Sequence, residues 1–176
     1  MGLGRLFAVL SVSAVLVAVV LLGQLAGQPA VFLPPEVRTV SLPPDVRVVP
    51  PSADIHKEVA SFSGWWAGIW DRVLPTVLVV EEITPERLTE PAGALVVYAW
   101  GDAPQWRIRP AWIRVRGRFL RGELRLARFP NGAQVIYRMR PDETLDATYE
   151  LGGQISRATL RRVAVAVPSP MPSPTP

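Results

Sequence analysis

The chain has 176 residues, a hydrophobic content of 49%, a mean hydropathy of +0.22 and a formal net charge of +4, carried by 18 Arg and a single Lys against 15 acids. That length leaves room for one domain plus extensions. The absence of cysteine excludes a disulfide scaffold, a thiolate metal site and a cysteine nucleophile, and no Lys/Arg run or nucleic-acid motif is present, so nucleic acid is set aside as a partner.

Residues 1–5 form a short basic leader before an apolar run from Leu6 to Leu22, interrupted only by Ser11, Ser13 and small residues. A helix of that run spans about 26 Å, and continuation to Ala26 reaches across a hydrocarbon core. The segment 6–26 therefore reads as a transmembrane anchor with the N-terminus inside, which sends the rest of the chain to the extracytoplasmic side. A cleaved secretory signal is the competing reading. Gln24 and Gln28 spoil the small-x-small pattern that cleavage after Ala26 or Ala30 requires.

Residues 27–60 are rich in proline and contain a repeat. Leu33-Pro-Pro-Glu-Val-Arg-Thr-Val40 is echoed by Leu42-Pro-Pro-Asp-Val-Arg-Val-Val49. Paired prolines fix φ and remove donors, so the segment is expected to run extended, as a semi-rigid stalk of some ~80 Å or as a plain linker. Asp54 to Ala60 reads as a short helical turn, capped by Asp54, that closes one end of the folded domain.

Residues 61–165 read as that domain. Phe62-Ser-Gly-Trp-Trp-Ala-Gly-Ile-Trp-Asp71 is a strand whose period of two puts Phe62, Gly64, Trp66, Gly68 and Trp70 on one face. Further strands are expected at 76–83, 94–100, 111–120, 123–129, 134–140, 144–151 and 154–165. Thr84–Pro91 is expected to turn with one helical piece. Arg121-Gly122 sets a hairpin that pairs Phe119 with Leu124 and Gly117 with Leu126, leaving Arg118 opposite Arg125 on the outer face. Turn signals every 8–12 residues predict an all-β meander, closing as an eight-stranded antiparallel up-and-down barrel. Its expected core includes Phe62, Trp66, Val79, Val97, Phe119, Leu124, Leu126, Tyr137 and Leu160. Residues 166–176, rich in Pro and Ser, read as a disordered tail.

With Gly64-x-Trp66 on the first strand and Arg161-Arg162 on the last, the pattern resembles the calycin superfamily of lipocalins and avidins. That resemblance implies an indole sealed beneath a last-strand arginine, here Trp66 under Arg161 or Arg162, with Gly64 beside it. The span is far shorter than a lipocalin and shows no full set of avidin ligand residues, so the likeness bears on the fold more than on a ligand.

Catalytic patterns are sparse. His56 is the single histidine and stands before the barrel with no triad partners in sequence, and no set of ligands for zinc or calcium is apparent, so no metal or cofactor is expected. Glu81 and Glu82 point to opposite faces and read as solvated strand-end carboxylates, as do Asp146 and Glu150. The richest constellation is Tyr98, Trp100, Asp102, Gln105, Trp106, Arg107, Arg109 and Trp112, around the one long inter-strand connection. Aromatics beside a few polar groups on a loop at a barrel end suit a ligand mouth or, alternatively, an aromatic plug. The stripe of Arg114, Arg116, Arg118 and Arg125 suits an anion or acidic headgroups, or an outer face balanced by neighbouring carboxylates. These features point to a non-enzymatic, membrane-tethered extracytoplasmic barrel binding a small apolar or aromatic ligand. An envelope structural or interaction domain is the alternative.

Overall fold

A computed structural model of the chain describes residues 30–166. The expected anchor at 6–26, its leader and nearly all of the 166–176 tail lie outside the described residues. Among those described, no helix is long and apolar enough to cross a membrane. Residues 31–164 form one compact unit; Ala30–Val31 and Val165–Ala166 make a two-stranded sheet of their own, apart from the barrel sheet.

The unit is built on a closed barrel of eight strands in sequential order: β1 (Gly64–Trp70), β2 (Leu74–Thr84), β3 (Gly93–Trp100), β4 (Ala111–Leu120), β5 (Glu123–Leu126), β6 (Gln134–Met139), β7 (Leu145–Leu151) and β8 (Gln154–Arg162). Every neighbouring pair is antiparallel, and β1 pairs with β8 to close the ring. The hairpin register at Arg121-Gly122 is the one its sequence implies, with Phe119 opposite Leu124 and Arg118 opposite Arg125. Both turn residues have positive φ, as a tight two-residue hairpin requires. All nine expected core residues are buried. Strand β5 stops at Leu126 rather than Phe129, and 84–92 contains no helix, only a bridge between Arg87 and Glu90.

Alternation divides the buried residues into two sets. Trp66, Trp70, Leu78, Val80, Val96, Tyr98, Leu124, Tyr137, Leu145 and Leu160 fill the barrel. Trp65, Ala67, Val77, Val79, Val97 and Ala99 alternate with them and face outward, yet are also buried. A β-bulge between Val80 and Glu82 shifts the alternation of β2, so that Ile83 returns to the interior and Glu81 and Glu82 both face out, rather than to the opposite faces that strict alternation gives them.

The second buried set lies beneath residues 31–55, where the sequence led to an extended stalk. These residues instead turn back across the outside of the barrel as a strap. A 3-10 turn at Pro35–Val37 packs on β1 and β2, with Val37 fully buried. The backbone N–H of Asp102 donates to the Thr39 hydroxyl (3.4 Å), and that of Val49 donates to the carbonyl of Glu81 (2.7 Å). Asp45 pairs with Arg114 on β4 (3.0 Å). The physical reason for the change is apolar area. The repeat valines and prolines have a hydrophobic outer sheet face to cover, which polyproline geometry does not prevent.

One barrel end, the floor, is closed by the helical turn Lys57–Ala60, as expected. Its N-cap position is His56 rather than Asp54, and no side chain caps it. Ile55, Val59, Ala60, Phe62, Phe119 and Met139 pack there with Trp66. The other end is open.

Candidate functional site

Odd-numbered strands run from the floor to the open end, so the ends of β1, β3 and β7, the residues after β5 and the 101–110 loop converge there. Trp70, Leu74, Tyr98, Trp100, Trp106, Ile108, Arg109, Phe129, Asn131, Tyr149 and Ser156 line a half-open cavity of ≈ 440 Å³. Its wall is a chain of rings. Tyr98 lies 5.6 Å from Trp100 and 5.4 Å from Phe129, and Tyr149 lies 6.5 Å from Phe129 and 6.2 Å from Trp70. These separations suit tilted and edge-on aromatic packing.

The structure brings together Tyr98, Trp100, Trp106 and Arg109 of the sequence-derived set. Asp102 and Gln105 lie on the same loop, exposed and outside the cavity lining. On β4, Trp112 opposes Ala99 of β3 and points outward, 40% exposed, so strand alternation removes it from the mouth. The loop is fastened by a 3-10 turn at Pro104–Trp106, with Arg107 in the left-handed region (φ 54°), and by the Trp100 indole N–H donating to the carbonyl of Arg109 (3.0 Å). Five lining aromatic or apolar residues were missed as mouth residues: Trp70, Leu74, Ile108, Phe129 and Tyr149. The meander itself carried the signal, because strands of equal parity end on the same side.

Polar groups in the mouth are mostly paired. Asn131 donates to the Tyr149 hydroxyl (3.1 Å), and Thr76 beneath donates to the carbonyl of Ala99 (2.8 Å). Burial pushes the pKa of the Tyr98 and Tyr137 hydroxyls well above the usual phenol value. Two buried polar atoms have no hydrogen-bond partner among the described residues: the Trp70 indole Nε1 and the Tyr137 hydroxyl.

At the floor, β8 alternation places Arg162 rather than Arg161 on the inner face, opposite Trp66. Its guanidinium lies 4.2 Å from the Trp66 ring centroid and donates to the carbonyls of Ser63 (2.8 Å) and Ser61 (2.6 Å). The Trp66 indole N–H donates to the carbonyl of Phe62 (2.8 Å). Gly64 has φ +113°, and a Cβ there would stand 3.0 Å from the Arg162 guanidinium. Gly68 admits β8 closely, since a Cβ there would stand 2.6 Å from the carbonyl oxygen of Thr159.

The outward arginines divide. Arg114 is bound by Asp45 (3.0 Å) and Glu81 (2.8 Å), whose hydrogen bonds, that of Asp45 first, hold its pKa above the ordinary value. Glu81 is therefore a buried ion-pair partner rather than a solvated carboxylate. Arg125 pairs with Glu123, which also accepts from Arg138. Arg116 and Arg118 are exposed and make no ion pair among the described residues; with Arg125 and Arg128 they border an open surface groove. No group of three or more His, Asp or Glu gathers as a metal site among the described residues, and His56 is exposed beside the floor. No protein-family model, curated protein or solved structure matches this chain.

Proposed function

We propose that this chain is a non-enzymatic binding module: a calycin-like barrel, tethered to a membrane through residues 6–26 and held on the extracytoplasmic side, that takes a small apolar or aromatic molecule into its open mouth. The observation that carries this reading is the ≈ 440 Å³ cavity walled by Trp70, Tyr98, Trp100, Trp106, Phe129 and Tyr149. A concave, mostly aromatic pocket with few polar groups is the usual form of a small-molecule site. The calycin likeness is supported by the closed eight-stranded ring and the Trp66–Arg162 stack; the tether rests on the apolar run alone.

The test is a titration of the full chain with a mixed small-molecule library, read by indole emission and checked by native mass spectrometry. Saturable quenching that Trp106→Ala abolishes supports the mouth. Absence of any response across the library counts against it. The unpaired Arg116 and Arg118 favour a second reading, an envelope interaction domain contacting an anionic surface.

A further inference from the structure

We infer that the ligand of the mouth is a small flat aromatic molecule that enters with a neutral hydrogen-bond acceptor, such as a carbonyl oxygen, leading, and that the Trp70 indole N–H is the donor that receives it. This inference rests on reading the mouth as a binding site.

Trp70 is 2% exposed, lines the cavity, and its Nε1–H is left without a partner. The neighbouring Tyr98 hydroxyl feels the Trp70 indole, but the two do not reach hydrogen-bond geometry. A buried donor without an acceptor is costly, and native structures pair more than nine in ten of them. The contrast with Trp100, one of two further indoles of the cavity, is informative. Trp100 lines the same space, and its N–H is consumed by the carbonyl of Arg109. Asn131 and Tyr149 likewise satisfy one another at the rim. Among the described residues, Trp70, at the mouth end of β1, is thus the one cavity-lining residue whose polar side-chain atom is both buried and unpartnered. Below it, the Tyr137 hydroxyl is a second buried polar atom without a partner.

The acceptor is neutral for two reasons. The surrounding wall is almost wholly aromatic and aliphatic, which disfavours a carboxylate unless a cation neutralises it. Arg109 is the only cation among the lining residues, and it belongs to the loop rather than to the strand that carries Trp70. Burial also raises the pKa of both tyrosine hydroxyls, as expected where negative charge is disfavoured. The ring wall supplies the flat apolar surface for the body of the ligand. A site whose buried donor is paired only in the complex discriminates against an isostere without the acceptor, because that isostere leaves the donor unpaired.

The experiment compares two probes of nearly identical shape, 2-acetylnaphthalene and 2-isopropenylnaphthalene, which differ in a carbonyl against a methylene. Each is titrated into the full chain by isothermal calorimetry, with Trp70→Phe measured in parallel. The expected result is an affinity about tenfold higher for the ketone, a preference that collapses in Trp70→Phe. A second measurement does not depend on how well the variant folds. In the wild-type chain labelled with 15N-tryptophan, one indole N–H resonance moves downfield with the ketone and not with the alkene. Equal binding of the two probes with no such resonance shift overturns the donor inference and leaves the mouth reading intact. A ketone preference that survives in folded Trp70→Phe also overturns it. Failure of both probes to bind removes the mouth reading, and the inference with it.

Discussion

The guanidinium of Arg162 stacks over the indole of Trp66, 4.2 Å from its centroid, and the same guanidinium spans the carbonyls of Ser61 and Ser63. One side chain of the last strand thus holds both the first strand's tryptophan and the backbone that leads into it. Trp66→Ala is expected to cost ~3–5 kcal/mol of stability as loss of a fully buried large aromatic. Arg162→Ala is expected to cost less, and the double variant to be non-additive, because the two side chains touch. Arg161→Ala, on the outer face, is expected to leave stability nearly unchanged. Chemical denaturation of the four variants reads the cycle; additive losses would mean that the stack contributes nothing of its own.

The strap is expected to behave as part of the domain. Glu81 is 5% exposed and depends on Arg114, so Arg114→Ala leaves a buried carboxylate short of its partner and is predicted to cost ~1–3 kcal/mol. Asp45→Ala removes only the exposed end of the same cluster and is predicted to cost much less. Equal losses, measured by thermal melting, would argue against Glu81 as the buried hub.

Acid is expected to destabilise the protein by a defined route. The Arg138 guanidinium, followed by that of Arg125, holds the Glu123 carboxyl below the usual range, and Arg114 does the same for Asp45. For Asp71, the backbone N–H of Arg157 is the leading cause. Folded pKa values depressed in this way contribute stability that is fully present above the unfolded value, about 4, and is lost as pH falls through the folded value. Melting temperature is therefore expected to hold above about pH 5 and to drop steadily below about pH 4. Glu123→Gln should lower the plateau and flatten the acid limb; an unchanged acid limb would remove Glu123 from this account.

Within the mouth, Phe129→Ala is expected to weaken binding of an aromatic probe by about tenfold, since Phe129 joins the Tyr98 and Tyr149 rings. Trp112→Ala, on the outer face, is expected to leave affinity unchanged. A reversal of that order in fluorescence titrations would place the ligand outside the barrel.

For the outer arginines, the double variant Arg116→Gln/Arg118→Gln is the informative one, because Arg114 and Arg125 are already engaged by acids. If the surface contacts anionic lipid, flotation with phosphatidylglycerol vesicles should fall in the double variant and fall with salt in the wild type. Salt-insensitive flotation, equal in both, would dismiss this face.

The barrel was legible because its signals were local. Turn pairs such as Arg121-Gly122 and Gly152-Gly153 adopt the positive φ values that two-residue hairpins need, and alternation sorted Trp66 from Trp65. The strap was not legible, since prolines announce an extended backbone without saying whether Val37 has a surface to land on. Val77 and Val79 hinted at one: a strand apolar on both faces needs cover on both. At the mouth, Trp100 and Trp106 announced themselves on a long loop. Phe129 did not, because β5 ends three residues earlier than its hydrophobicity suggests and delivers that ring through an irregular segment. Trp70 was placed on the inner face, but only the shared direction of odd strands carries it to the same rim as Trp100.

The closing seam between β1 and β8 also bears on how the chain reaches this state. Each other strand pair joins neighbours along the chain, but the seam links Ser63 to Arg162 across 99 positions and registers only Trp66 with Arg162 and Ala67 with Arg161. Loop-closure entropy makes such a long-range step slow relative to hairpin formation. Until it occurs, β1 offers an unpaired tryptophan-rich edge to other chains. Refolding followed by tryptophan emission is therefore expected to show hairpin assembly ahead of ring closure, with association at high protein concentration competing at that last step.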